Sequence, residues 1–231
     1  MSSSWVQMEV VEIKRQTPTL FSAALTPVAE EHIFHFQAGQ CVNVLSNTDK
    51  KGCFSIASEP EEKKSIEFLL KDQPGTIAHD IVQLKAGDRF KISPPFGPGF
   101  PAERFKQKDL LLIGIGSGLS PLRSLLKSLL RREHSFRRIT FLYGVRTEAE
   151  IPFKDEFNLW SKKIELQIVL SQSENSEWKG LRGRVTDIIS DLNIHPDETI
   201  CCLCGNKEME GQTRKLLETK GVSKQNILLN Y

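Results

Sequence analysis

The octapeptide Gly114-Ile115-Gly116-Ser117-Gly118-Leu119-Ser120-Pro121 follows four apolar residues, Leu110, Leu111, Leu112 and Ile113, and opens a stretch of helical periodicity. Glycines in such a turn accept positive φ and let a ligand approach the backbone. The helix N-terminus behind them offers unpaired N–H groups and a positive dipole end, which together suit a diphosphate. Pro121 fits a first helical turn, where its missing N–H is not needed. The spacing is GxGxGxxP, not the common GxGxxG, and by itself it describes either a phosphate turn or a tight turn with no ligand. Cys204-Gly205-Asn206 ends a second apolar run, 199–203, again just before a helical stretch. In an open α/β sheet the ligand crevice lies at such strand ends, although a lone Cys204 is equally a small buried hydrophobe. A third segment, Cys53-Phe54-Ser55-Ile56-Ala57-Ser58, sets an aromatic ring beside a hydroxyl. That pair suits stacking and edge hydrogen bonding of a flat ring, or an ordinary strand with Phe54 in a core.

Other chemistries find little support. Three of the five cysteines (Cys41, Cys53, Cys201, Cys202, Cys204) crowd into four residues, with no CxxC spacing and no nearby histidine. This reads as neither a disulfide framework nor a zinc or iron–sulfur site, so no metal is expected and a reducing compartment is. The histidines His32, His35, His79, His134 and His195 show no ligand spacing beyond His32/His35, read as a surface pair, and no nucleophile elbow or paired-carboxylate pattern stands out. A formal net charge of +2 with scattered basic residues argues against a nucleic-acid partner. No run approaches the ~20 apolar residues of a membrane span. Met1-Ser2-Ser3-Ser4-Trp5 lacks the basic flank and apolar core of a signal peptide. The expected setting is therefore the cytoplasm or an organelle stroma or matrix.

These motifs need elements to position them. Residues 6–14, 20–25, 33–36, 41–45, 53–57 and 66–70 form short apolar or alternating runs between turns, which predicts an antiparallel β-barrel. Within it 76–84 is helix-compatible, with Ile77, Ile81 and Leu84 on one face. Residues 94–101 hold four prolines and two glycines in eight positions and close this unit. The boundary is placed at Arg104, giving domains 1–103 and 104–231. Beyond it, strands at 109–113, 138–144, 164–170, 199–204 and 226–229 alternate with helices at 121–132, 153–162, 184–192 and 208–220. That is the pattern of a doubly wound α/β parallel sheet. The stretch 171–183 reads as a loop.

Taken in order, the motifs resemble the ferredoxin–NADP reductase family of flavin oxidoreductases over nearly the whole chain. Phe54-Ser55-Ile56-Ala57-Ser58 looks like the family's RxYS flavin motif. Gly75-Thr76 before a helix, Pro95-Phe96-Gly97-Pro98 at the barrel end, Gly114 to Pro121, Cys204-Gly205 and a terminal aromatic follow in sequence. The resemblance implies a flavin, FAD, in the barrel and NAD(P)H on the α/β domain. Phe54 would stack on the isoalloxazine, and Ser55 would hydrogen-bond near its hydride-accepting nitrogen. Ile56, Ala57 and Ser58 would pass backbone groups along it, and Gly75 and Thr76 would take the flavin diphosphate. Gly114, Gly116, Ser117, Gly118 and Pro121 would face the nicotinamide nucleotide's diphosphate. Cys204 and Gly205 would lie beside the nicotinamide, and Tyr231 would cover the flavin and move for the nicotinamide. Ser55, Cys204 and Tyr231 are thus the catalytic candidates.

Three positions depart from the family pattern. The flavin-phosphate Arg falls on Gly52, leaving adjacent Lys51 as a point charge without a bidentate fork. The carboxylate two residues before the terminal Tyr is Leu229. The Ser-Arg pair of NADP-specific members is Ser171-Gln172, which tilts the expectation toward NADH, with Arg146, Arg182 and Arg184 available for a 2′-phosphate. The implied activity is hydride transfer from NAD(P)H through the flavin to a separate electron acceptor, such as a small redox protein. The alternatives are an electron-transfer subunit of a larger complex and a nucleotide-binding module without redox activity.

Overall fold

A computed structural model describes residues 5–29, 31–45, 50–131, 136–172 and 177–231. The N-terminal half is a six-stranded antiparallel sheet built from β1 (Val6–Arg15), β2 (Leu20–Pro27), β3 (Cys41–Leu45), β4 (Lys51–Ser55), β5 (Ile66–Lys71) and β6 (Arg89–Ile92), with α1 (Ile77–Val82) between the last two. The strand order is β4-β3-β6-β1-β2-β5. The sheet curls on itself: just past β4, the Ala57 N–H donates to the Glu67 carbonyl of the opposite edge at 2.7 Å. Alternate residues such as Met8, Val10, Val42, Val44 and Phe68 fill the interior, as the period-2 pattern of a half-buried strand requires.

Two sequence expectations need correction here. Residues 33–36 form no strand. Phe34 is buried as the alternation demands, but the segment's backbone tie is a single bond from Phe34 N–H to the Lys63 carbonyl, so no ladder forms. Strand β6 was not anticipated; its four residues are too short a run to announce themselves, yet it bridges β1 and β3.

After a 3-10 turn at Ala102–Phe105, the chain alternates β7 (Asp109–Ile115), α2 (Leu119–Arg131), β8 (Arg138–Val145), α3 (Lys154–Trp160), β9 (Glu165–Leu170), β10 (Leu181–Arg182), α4 (Val185–Ile189), β11 (Thr199–Cys204), α5 (Lys207–Thr219) and β12 (Ile227–Leu229). The two-residue β10 lies inside the segment expected to be loop throughout. All pairings are parallel, in the order β10-β9-β8-β7-β11-β12. The apolar run of β7 serves two cores. Leu110 and Leu112 pack under α2 and α3 with Phe141 and Trp160, whereas Leu111 and Ile113 pack under α4 and α5 with Leu142 and Leu217. Burial on both faces is why this strand reads as continuous hydrophobe rather than alternation. The strand order reverses between β7 and β11, which makes their C-terminal ends the topological switch point.

Candidate functional site

At that switch point Gly114 stands opposite Cys204 in the β7–β11 register. Gly116 takes φ +53, and its carbonyl accepts a 2.9 Å hydrogen bond from the Tyr143 hydroxyl. Gly118 is pressed against the other strand: a Cβ there would lie 2.3 Å from the Cys204 carbonyl oxygen and 3.1 Å from the Gly205 nitrogen. A Cβ on Gly205 would lie 2.2 Å from Met209 Cε. Glycine at 118 is thus a packing requirement against backbone, and a cleft of about 500 Å³ lies over Gly116, Ser117 and Gly118 on one side and Gly205 and Asn206 on the other. Asn206 caps α5 through a 2.8 Å bond from the Met209 N–H. Arg146 and Arg184 line the far wall. Pro121 is buried in the first turn of α2, which starts two residues earlier than its periodicity suggested.

The second half of the site lies where β3 and β4 meet the C-terminus. Cys41 is opposite Ser55 in the β3–β4 register, and its Sγ sits 3.4 Å from the Ser55 Oγ. Asn230, only 2% exposed, donates from Nδ2 to the Ser55 Oγ at 3.0 Å, to the Gly39 carbonyl at 3.0 Å and to the Cys41 Sγ at 3.6 Å. Its Oδ1 is buried and has no partner. Tyr231 is 65% exposed and its hydroxyl donates to Glu210 Oε2, while Glu210 Oε1 accepts the Gly205 N–H at 2.9 Å. This carboxylate pushes the Tyr231 phenol up to about 12. Burial pushes the Cys204 thiol up to about 12 as well, with the Glu210 charge adding to it, so Cys204 serves as a neutral, compact wall. The barrel and sheet therefore bring Ser55, Cys204, Gly205 and Tyr231 into one neighbourhood, and Asn230, Glu210 and Cys41 join them.

The remaining motif residues are placed differently. Phe54 is half-buried and tilts against Phe68 at 5.8 Å between ring centroids. The N–H groups of Ile56 and Ala57 already bond to the carbonyls of Gln40 and Glu67, and the Ser58 Oγ accepts the Glu67 N–H. Thr76 caps α1 by accepting the His79 N–H at 3.2 Å, after Gly75 at φ +83. The departure at Gly52 has a steric reason. A Cβ there would fall 2.2 Å from Ile77 Cγ2, so α1 fills the space a longer side chain would leave through. Lys51, one position away, is exposed. Among the described residues no cluster of His, Cys, Asp or Glu able to hold a metal is present, and no helix is long and apolar enough to cross a membrane.

A curled antiparallel sheet joined to a doubly wound parallel sheet, with a glycine cleft at the switch point, defines a two-domain dinucleotide-binding oxidoreductase fold. The oxidoreductase NAD-binding domain family matches residues 112–215. One of the subunits of the Na(+)-translocating NADH-quinone reductase of Marinomonas sp. is 31% identical over 77% of this chain and 47% of its own length. The sulfhydrogenase 1 subunit gamma of Pyrococcus furiosus is 28% identical over 84% of this chain and 67% of its own. A ferredoxin NADP+ reductase from Neisseria gonorrhoeae, solved with bound FAD and NADP, superposes with a TM-score of 0.83 at 21% identity, covering 97% of both chains. Residues 112–215 thus match the oxidoreductase NAD-binding domain family, the chain shares the fold of the ferredoxin NADP+ reductase, and it spans about half the length of the quinone reductase subunits it matches.

Proposed function

We propose that this chain is an FAD-dependent NAD(P)H oxidoreductase, with the flavin held by residues 1–103 and the nicotinamide nucleotide by 104–231, that passes electrons to a separate acceptor. The observation that carries this reading is the convergence of the glycine cleft and the Ser55–Asn230 pair on the same end of the molecule, joined by Cys204, Gly205 and Tyr231. The residues present fit both groups. Gly116 faces open space in the cleft, with no protein atom within 4 Å of where its Cβ would lie, and the orphaned Asn230 Oδ1 calls for a donor of the kind a flavin ring edge carries. When bound, the flavin supplies the two-electron chemistry, and the protein supplies geometry and electrostatics.

The chain's own residues then have definite tasks. The N–H groups at the start of α2 take the nucleotide's diphosphate, with Gly116 and Gly118 keeping the backbone close. The Ser55 hydroxyl, fixed by the Asn230 amide, presents a hydrogen bond at the reacting edge of the flavin. Tyr231 covers the site and must release Glu210 for the nicotinamide to stack; Cys204, kept neutral by burial, borders that space. Arg146 and Arg184 are the cations that a 2′-phosphate would meet. Leu229 offers no proton route, and none is needed for hydride transfer itself.

A second reading, an electron-transfer subunit of a larger complex, is favoured by the two curated relatives, both of which are subunits by name. The test of the first reading is spectroscopic. The purified protein is expected to show a flavin absorption band that NADH or NADPH bleaches anaerobically, and bound flavin that neither nucleotide bleaches would refute it. Co-purification of a stable larger assembly decides the second.

A further inference from the structure

Glu210 is a buried carboxylate without a cation. It is 5% exposed, and among the described residues no lysine, arginine or histidine pairs with it. A buried charge with no counter-ion is unfavourable unless hydrogen bonds offset the lost water. Here there are two. Oε1 accepts the Gly205 N–H at 2.9 Å, a bond to backbone just past β11 that fixes the carboxylate in place. Oε2 accepts the Tyr231 hydroxyl, which belongs to an exposed terminal ring. Burial and the Glu210 charge both raise the Cys204 thiol, so the carboxylate stands beside the residues that border the nicotinamide space. The tasks assigned above use Glu210 only as the group that Tyr231 must leave.

We infer that Glu210 is the acceptor for the nicotinamide carboxamide, and that nucleotide binding exchanges one donor for another at its Oε2. This rests on the reductase reading above and assigns the residue that recognises the reacting end of its substrate.

The exchange is of like for like. A phenol and a nicotinamide are both six-membered rings with a donor just beyond the rim. When Tyr231 moves, its hydroxyl leaves Oε2 facing the vacated space, while the Gly205 bond holds Oε1 where it was. A carboxylate that lost this donor and gained none would be a buried charge with an unmade bond. The carboxamide N–H2 restores the bond, so the substrate that needs Tyr231 lifted also offsets the lifting. An ionised carboxylate accepts and never donates. It therefore selects the amide N–H2 and rejects a pyridine ring whose substituent carries a carbonyl alone.

The test uses the flavin-loaded full chain and two nucleotides that differ at this group. 3-Acetylpyridine adenine dinucleotide has a methyl in place of the amide N–H2, so it keeps the carbonyl and has no donor. Half-saturation of anaerobic flavin bleaching is measured with the reduced forms, and calorimetry measures binding of the oxidised forms, the 2′-phosphorylated pair being used if NADPH is the donor. The wild-type chain is expected to favour the carboxamide by about tenfold or more, the range of a hydrogen bond to a charged group. In Glu210→Gln the Gly205 N–H holds the amide oxygen and turns the Gln Nε2 toward the ligand, where it offers a donor in place of an acceptor. The preference is then expected to vanish or reverse. Tyr231→Phe removes the competing hydroxyl and leaves Glu210 intact. It is expected to bind the oxidised carboxamide nucleotide about three- to tenfold tighter and to keep the preference, and it decides the question if Glu210→Gln does not fold. Provided that NAD(P)H bleaches the flavin, an unchanged preference in Glu210→Gln overturns the inference, and so does a Tyr231→Phe chain that binds no tighter than wild type. Failure of the wild-type bleaching overturns the reductase reading and this inference together.

Discussion

Replacing Arg123 by Met is expected to loosen the joint between the antiparallel and the parallel sheet. Arg123 rises from α2 with a side chain only 4% exposed. Its guanidinium grips Glu156 of α3 through two 2.7 Å bonds. It also donates to Glu67 of β5 at 2.6 Å and to the Ala57 carbonyl at 2.8 Å, two residues beyond Ser55. Its charge lies 4.1 Å over the Phe153 ring. Burial works against the ionised form, but the hydrogen bonds and charges of Glu156 and Glu67 outweigh it and hold the guanidinium protonated. Methionine fills most of the volume and leaves two carboxylates facing each other with a stranded carbonyl. Removing one partner of a buried ion pair costs about 3–5 kcal/mol. Glu67 and Glu156 retain 22% and 27% exposure and can rehydrate, so the lower end, about 3 kcal/mol, applies. For a chain of this size that is a fall of about 6–12 °C in Tm. Thermal and urea unfolding measure it, and R123M/E67Q/E156Q is expected to recover much of the loss by removing the opposed charges. A loss below about 1 kcal/mol in R123M, the range of an exposed ion pair, would show that this cluster does not join the domains as described.

Two further outcomes follow from the cleft. Gly118→Ala places its Cβ 2.3 Å from the Cys204 carbonyl oxygen; backbone cannot swing aside, so the turn must lift from β11, costing about 1–3 kcal/mol of stability and weakening NAD(P)H binding at least about tenfold by titration. Gly116→Ala, with φ +53 but no atom within 4 Å of its Cβ, is expected to lose less stability than Gly118→Ala, about 1 kcal/mol from backbone strain alone, and a loss equal to or greater than that of Gly118→Ala would refute the packing argument. Glu210→Gln removes the negative charge that pushes the Tyr231 phenol up to about 12. Of the chain's two tyrosines, Tyr143 is pushed higher still by burial. The first phenolate transition in an ultraviolet pH titration therefore belongs to Tyr231, and its midpoint is expected to fall toward about 10 in E210Q. An unmoved midpoint would mean that Glu210 does not hold the terminal residue.

What the sequence made legible is what depends on neighbours along the chain. Strands buried on both faces read as runs, and β7 and β11 are each followed by a glycine beside a helix start, so the cleft was visible before its walls were assembled. The run at 33–36 holds a buried Phe34, but its pattern says nothing about a second strand to pair with. Arg123 falls among the leucines of α2, and its partners are 33, 56 and 66 residues away, so only the assembled fold shows it as a hub rather than a lapse in an apolar stripe. The vacancy at Leu229 is the sharper case. The terminal tyrosine has a carboxylate partner from a distant element: Glu210, in the first turn of α5, reaches both Gly205 and Tyr231. The hydrogen bond to Ser55 comes from Asn230. A position-by-position reading registers Leu229 but not these contacts, because they join residues far apart along the chain and follow from a spatial arrangement and not a spacing.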